Sequence, residues 1–297
     1  MPVVVTGAAG FVGSAIVSHL LGSGQRVVAI DRRPVVRPGG VVSVQADLCD
    51  GHPATLAALR MADAVIHLAG CPGVRDHAPG VERRRQRDNV DATRALLMAT
   101  PVDVPVVVAS SSSVYGGARY SRASREEDPC HPVGGYAASK VRAEQVCAGR
   151  IAAGAPLVIA RPFTVVGEGQ RPDMALSRWV AAARQGRPLR VIGSLERTRD
   201  FTDVREVARA LAALPGATGV VNVGSGSPRT LREAVDAVGT VLGTEPVVEV
   251  VPAAPEEVPD TWADPTRLAE LTGILAATDL VDAVARVARI PMLEAVG

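Results

Sequence analysis

The run Val3-Val4-Val5-Thr6 leads directly into Gly7-Ala8-Ala9-Gly10-Phe11-Val12-Gly13, and this junction limits the possible folds more than any other feature of the chain. A short β-branched run without polar alternation suits a strand buried on both faces, and the amphipathic stretch from about 12 to 21 suits a helix. Three glycines between them permit a tight turn in which backbone N–H groups come close to a ligand. The start of the helix adds partial positive charge at the same place. Strand, glycine loop and helix in this order predict an anion site for the pyrophosphate of a dinucleotide.

The alternation continues. Strand-like runs fall at 26–30, 42–46, 64–68, 104–109, 157–160, 190–192 and 220–223, with helical patterns between most of them. This spacing predicts an α/β fold with a doubly wound parallel sheet covered on both faces. From about Gly167 proline and glycine interrupt the pattern, and helix candidates at 173–185, 204–214 and 231–242 are separated by short strands. The expected organisation is a dinucleotide-binding domain over 1–166, to which 200–228 return, and a smaller C-terminal α/β substrate lobe over 167–297. No fixed-period repeat and no low-complexity linker interrupts it.

Charge balance narrows the partners. The 297 residues carry 32 basic against 31 acidic side chains, a formal charge of +1, so nothing electrostatic favours nucleic acid or an anionic membrane. A small molecule is the expected ligand. Every apolar run is broken well short of the roughly 20 residues of a membrane span, and Met1 leads straight into the first strand without a signal-peptide pattern. A soluble, cytoplasmic protein is expected. Cys49, Cys71, Cys130 and Cys147 have neither disulfide-scaffold nor metal-ligand spacing, so they read as small buried thiols and no metal is expected.

Several polar residues stand where chemistry would need them. Asp31 ends the second strand 18 residues after Gly13, where a carboxylate can accept from the adenosine ribose hydroxyls, which favours NAD. Arg32 and Arg33 follow it and could hold a 2′-phosphate instead. Asp47 ends the third strand and reads either as an adenine ligand or as a helix cap. Tyr136 and Lys140 lie one turn apart on one face of a helical pattern running through Val141, Glu144 and Val146, so an ammonium can favour the phenolate of the tyrosine. Lys140 is the single lysine of the chain. The hydroxyls of Ser110-Ser111-Ser112-Ser113, before Val114-Tyr115-Gly116, emerge at the carboxyl end of a strand, where one could bind a substrate oxygen and share its proton with Tyr136.

With His67-Leu68-Ala69-Gly70, Arg161-Pro162-Phe163 and Arg199-Asp200-Phe201, these motifs make the chain resemble the extended short-chain dehydrogenases/reductases over nearly its whole length. Within them it is most similar to the NAD-dependent sugar-nucleotide epimerases and dehydratases, nearest the UDP-glucuronate 4-epimerases. The resemblance implies a Rossmann-type sheet, catalysis by Ser111, Tyr136 and Lys140, and a homodimer formed through the helix of Tyr136 and the one near Asp88–Ala99. It implies NAD held by Gly7, Ala9, Gly10, Phe11, Val12, Gly13, Asp31, Arg32, Asp47, Leu48, Leu68, Ala69, Gly70, Asn89, Tyr136, Lys140 and Pro162. It implies a UDP-sugar held by Arg75, Ser111, Ser112, Ser113, Thr164, Arg171 and Arg199, with Thr164 and Arg171 on a sugar carboxylate and Arg199 on the diphosphate.

The implied reaction is 4-epimerisation through a transient 4-keto sugar, on UDP-glucuronate first and on UDP-glucose or UDP-N-acetylglucosamine next. An NAD(P)H-dependent reductase of nucleotide-linked 4-ketosugars, or a nucleotide-sugar dehydratase, is the alternative. Dehydration is disfavoured because Ser112 and Ser113 stand where dehydratases place acids, and Glu126, Glu127 and Asp128 read as a solvated loop. A non-catalytic dinucleotide sensor would have no use for Ser111, Tyr136 and Lys140 together. Val166 and Glu168 replace the tyrosine and proline usual in the family, and a carboxylate at Glu168 would oppose a uronate.

Overall fold

Buried runs of valine, isoleucine and alanine build one seven-stranded sheet in the computed structural model, which describes residues 1–35, 41–118, 122–254 and 257–289. Its strands are β1 (Val3–Thr6), β2 (Val27–Asp31), β3 (Val41–Gln45), β4 (Ala64–His67), β5 (Val106–Ala109), β6 (Leu157–Pro162) and the strand Gly219–Val223. The order is Gly219–Val223, β6, β5, β4, β1, β2, β3, and all pairings are parallel. The chain winds outward from β1 to β3, then crosses back to β4. The winding direction reverses between β1 and β4, which opens a crevice at their carboxyl ends.

Apolar side chains cover the sheet on both faces. On one, Val5, Val107 and Val221 meet Ile16 and Leu20 of helix α1 (Phe11–Gly22) and Val207 and Leu211 of the helix Val204–Ala213. On the other, Val4, Val65 and Ile159 meet Leu59, Leu96 and Cys147 from the helices Pro53–Arg60, Ala92–Ala99 and Gly134–Ala152. A further apolar cluster joins Leu176, Trp179, Val235 and Val284 with Leu189 and Val191. The strand expected around 190–192 forms as Leu189–Ile192, but it pairs with Val248–Val251 outside the central sheet. Only Cys147 is fully buried; Cys49, Cys71 and Cys130 are part-exposed free thiols, so the expectation of buried cysteines holds for one of the four. Among the described residues no helix is long and apolar enough to cross a membrane.

Two features position what lies in the crevice. Gly7 has φ +69°, and a side chain there would collide with the backbone of Leu68 and Ala69 at the end of β4. A Cβ at Gly13 would lie 2.1 Å from the Gly7 carbonyl oxygen. The loop therefore closes against both α1 and β4 because these positions have no side chain. The second feature is a π-helical turn, Gln86–Asp91, between the helices Val81–Arg85 and Ala92–Ala99. A widened turn changes which side chains face inward, and here Asp88 and Asn89 are buried.

Gly13→Ala must displace loop backbone and is expected to cost about 1–3 kcal/mol. Gly22→Ala, at the end of the same helix with no atom within 4 Å of the added carbon, should leave stability equal or slightly higher. Urea unfolding of the two variants side by side checks this, and equal midpoints would refute the packing argument.

Candidate active site

The crevice is a single cleft of about 1410 Å³. Every residue put forward from sequence as a dinucleotide, catalytic or substrate residue lines it, from Gly7 and Asp31 at one end to Arg75, Thr164, Arg171 and Arg199 at the other. At the glycine loop, Gly10 caps α1 in an extended conformation without a side chain to bond the first-turn amides, which leaves N–H groups for an anion. Asp31 ties β2 to this loop: its Oδ2 accepts from the Ala9 amide at 3.0 Å and its Oδ1 from the Arg33 amide at 2.9 Å. Asp47 caps the short helix Leu48–Asp50 by accepting from the Cys49 amide at 2.9 Å, which is the capping role the sequence left open, while it also lines the cleft. Burial alone would raise the Asp47 carboxyl, but hydrogen bonds from Arg87 and the Cys49 amide hold it below its ordinary value.

Tyr136, Lys140 and Glu144 project at four-residue intervals from the helix Gly134–Ala152. Tyr136 and Ser111 both line the cleft; burial raises the pKa of the Tyr136 phenol, while the Ser111 side chain and the nearby Arg171 charge oppose the rise. The Lys140 ammonium donates to the Ala109 carbonyl oxygen at 2.9 Å rather than to the phenol. The ammonium is thus anchored on a backbone acceptor at the end of β5, one helical turn from Tyr136. Burial brings Lys140 down to about 8, against an opposing pull from the Glu144 charge. Below it, His67 bridges the Thr6 and Thr93 hydroxyls at 2.7 and 3.0 Å; burial and the Lys140 charge press its pKa down to about 3, so it stays neutral.

A buried polar network, not anticipated from sequence, supports this face. Glu144 accepts from the Ser110 hydroxyl at 2.5 Å and pairs with Arg161 through two bonds of 3.0 and 2.7 Å. Arg161 also donates to the Tyr115 hydroxyl at 2.8 Å, and that hydroxyl donates to Asn222 Oδ1 at 2.7 Å. The serine turn, β6 and the strand Gly219–Val223 are thereby joined to the tyrosine-bearing helix. Glu126 belongs to this network: its carboxylate accepts from the Asn222 amide at 2.8 Å, and burial raises its pKa. Asp128 pairs with Arg122 at 2.7 Å. The solvated-loop reading is therefore corrected for these two residues, since the edge-strand backbone amide of Asn222 and a neighbouring guanidinium draw them inward. Glu126, Glu127 and Asp128 all lie outside the cleft lining.

At the far end, three arginines hold internal carboxylates. Arg171 forms a two-bond pair with Asp173 at 2.8 and 2.9 Å. Arg75 pairs with Glu257, whose other oxygen lies 3.9 Å from Arg199. Arg199 also donates to the carbonyls of Thr198, Val258 and Pro259. Neither Asp173 nor Glu257 was anticipated, since an isolated acid has no spacing signature. Glu168, expected to oppose a uronate, lies outside the cleft lining with its carboxylate on Arg205 at 2.6 Å and Arg286 at 3.2 Å. Burial would raise it, and these pairs hold it below its ordinary value.

A doubly wound parallel sheet, a glycine-rich loop at its switch point, and a serine and a tyrosine in one cleft with a nearby ammonium define a dinucleotide-dependent oxidoreduction site. Residues 3–224 match the NAD dependent epimerase/dehydratase family, and the chain belongs to it. "Uncharacterized UDP-glucose epimerase YtcB" of Bacillus subtilis (strain 168) is 29% identical, covering 95% of each chain. Among solved structures, MoeE5 in complex with UDP-glucuronic acid and NAD is 37% identical with a TM-score of 0.86, covering 96% of this chain and 97% of that one. The UDP-glucuronic acid 4-epimerase of Bacillus cereus, in complex with UDP-glucuronic acid and NAD, is 28% identical with a TM-score of 0.87, covering 97% and 98%. The protein is accordingly an NAD-dependent enzyme of the sugar-nucleotide epimerase/dehydratase kind. Side-chain-free Gly7, Gly10 and Gly13 and the free first-turn amides of α1 fit the cofactor's pyrophosphate.

Lys140 offers a direct measurement, since labelling with 13Cε-lysine gives one side-chain signal. Its titration midpoint should fall near 8 in the cofactor-free protein and lower still in Glu144→Gln. Because the folded value lies below the ordinary 10.5, the unfolded chain binds the proton more tightly, and stability should rise with pH between about 8 and 10.5. A midpoint at 10 or above would refute the desolvation argument.

Proposed function

We propose that the protein is a UDP-sugar 4-epimerase acting first on UDP-glucuronate, and that it works through a transient 4-keto sugar. The observation that carries this reading is the placement of Ser111 and Tyr136 in one cleft with Thr164 and Arg171, while the opposing charge of Glu168 is taken up outside it by Arg205 and Arg286. UDP-glucuronic acid in the complexes of MoeE5 and of the Bacillus cereus enzyme supports it. MoeE5 also has a complex with UDP-glucose and NAD, in keeping with a neutral hexose as the next candidate.

When bound, NAD supplies a hydride acceptor that can return the hydride to the sugar. Tyr136 takes the proton of the C4 hydroxyl and Ser111 holds the same oxygen, both reaching it from the lining of one cleft. Lys140, fixed on the Ala109 carbonyl, keeps positive charge at this end and, with Gly7–Gly13, Asp31 and Asn89, belongs to the cofactor's half of the cleft. The Arg171 fork passes from Asp173 to the sugar carboxylate, with the Thr164 hydroxyl beside it. Arg75 and Arg199 take the diphosphate. Ser112 and Ser113 are neutral, and Glu126 is turned to Asn222 outside the cleft lining, which speaks against these three as the acid for water elimination.

Incubation with UDP-glucuronate, UDP-glucose and UDP-N-acetylglucosamine separately, followed by NMR, should show the 4-epimer with no net consumption of reduced cofactor. Net NADPH consumption with a ketosugar would instead assign the reductase reading. Tyr136→Phe should retain NAD binding and lower turnover by about 10²–10⁴-fold, the usual range for a lost acid–base group. Unchanged turnover would remove Tyr136 from the mechanism.

A further inference from the structure

Arg32 directly follows Asp31 at the adenosine end of the cleft, where a guanidinium is chemically suited to a ribose 2′-phosphate. In the structure its fork is occupied. Nη1 lies 3.2 Å from Asp88 Oδ1 and Nη2 lies 2.9 Å from Asp88 Oδ2, a two-bond pair, with Asp47 Oδ2 3.6 Å away. Asp88 comes from the π-helical turn and is only 8% exposed, so its carboxylate is held in place while the arginine reaches to it. Arg87 binds the same two acids, at 2.8 Å to Asp47 and 3.1 Å to Asp88. Arg33 is also engaged, donating to the Ala9 carbonyl at 2.6 Å beside Asp31. Arg87 reaches Asp50 as well, at 3.5 Å, so Arg32 and Arg87 sit among three aspartates next to the ribose carboxylate, and the forks of Arg32 and Arg87 are taken by these acids.

We infer that Asp88 is a cofactor-selectivity residue: by holding the Arg32 fork it withholds the cation that a 2′-phosphorylated dinucleotide would need, and so reinforces the choice of NAD over NADP. Asp31 repels a 2′-phosphate directly, whereas Asp88 acts through Arg32. The two contributions are separable, because Asp31 is bonded to the Ala9 and Arg33 amides and does not share the Arg32 fork.

The test is calorimetric titration of the cofactor-stripped full chain with NAD and with NADP. Asp88→Asn keeps the side-chain shape and releases the fork, and should tighten NADP about tenfold or more relative to NAD, the scale of one charge-assisted hydrogen bond. In Asp88→Asn combined with Arg32→Ala the gain should disappear. An unchanged NAD-to-NADP ratio in Asp88→Asn, or a gain that survives loss of Arg32, overturns the inference. The charge-neutral double change Arg32→Ala with Asp88→Ala serves if the single variant does not fold. It should leave the ratio as in the native protein, since Arg32 is already withheld, and a fall in NADP affinity there would also overturn it.

Discussion

The architecture depends on an approach of backbone to backbone that tolerates no side chain. Gly7 lies against the Leu68 and Ala69 backbone, and Gly13 against the Gly7 carbonyl, so β1, β4 and α1 meet at one point. That point is where the winding of the sheet reverses, and the free amides of α1 therefore open into the crevice between the strand ends. Position and charge come from the same packing: the contacts that close the loop also aim its N–H groups.

The opposite wall is organised by charge in a dry environment. Glu144 and Arg161 are both largely buried, and removing either partner of such a pair costs far more than the pair contributes over an apolar replacement. Here the arrangement also sets position. Glu144 holds Ser110, the neighbour of Ser111, and lies one turn beyond Lys140, so one carboxylate aligns the serine turn and moderates the lysine. Tyr115 and Asn222 carry the same network into the strand Gly219–Val223, which makes the edge of the sheet part of the support for the site.

Locally encoded features could be read from the chain. The β-branched run, the glycine spacing and the four-residue step from Tyr136 to Lys140 each express their geometry within a few residues. Other features needed the fold. The π turn Gln86–Asp91 departs from the 3.6-residue period on which helix faces are read, so the inward placement of Asp88 had no sequence signal. The acceptor of Lys140 is a main-chain carbonyl, which no residue type announces. Glu126 stood in a charged run that resembles an exposed loop, and only the pairing of β6 with Gly219–Val223 presents the Asn222 amide that draws it in. Glu144 could be placed on the correct helix face, but its pairing with Arg161 crosses 17 residues and two elements.

The arginines at the substrate end of the cleft carry carboxylate partners of their own: Arg171 rests on Asp173, and Arg75 and Arg199 share Glu257. An incoming anion therefore exchanges places with a tethered carboxylate instead of neutralising an open positive field. Such partner swapping draws little on long-range attraction, so encounter with ligand is governed by local fit and depends only weakly on ionic strength.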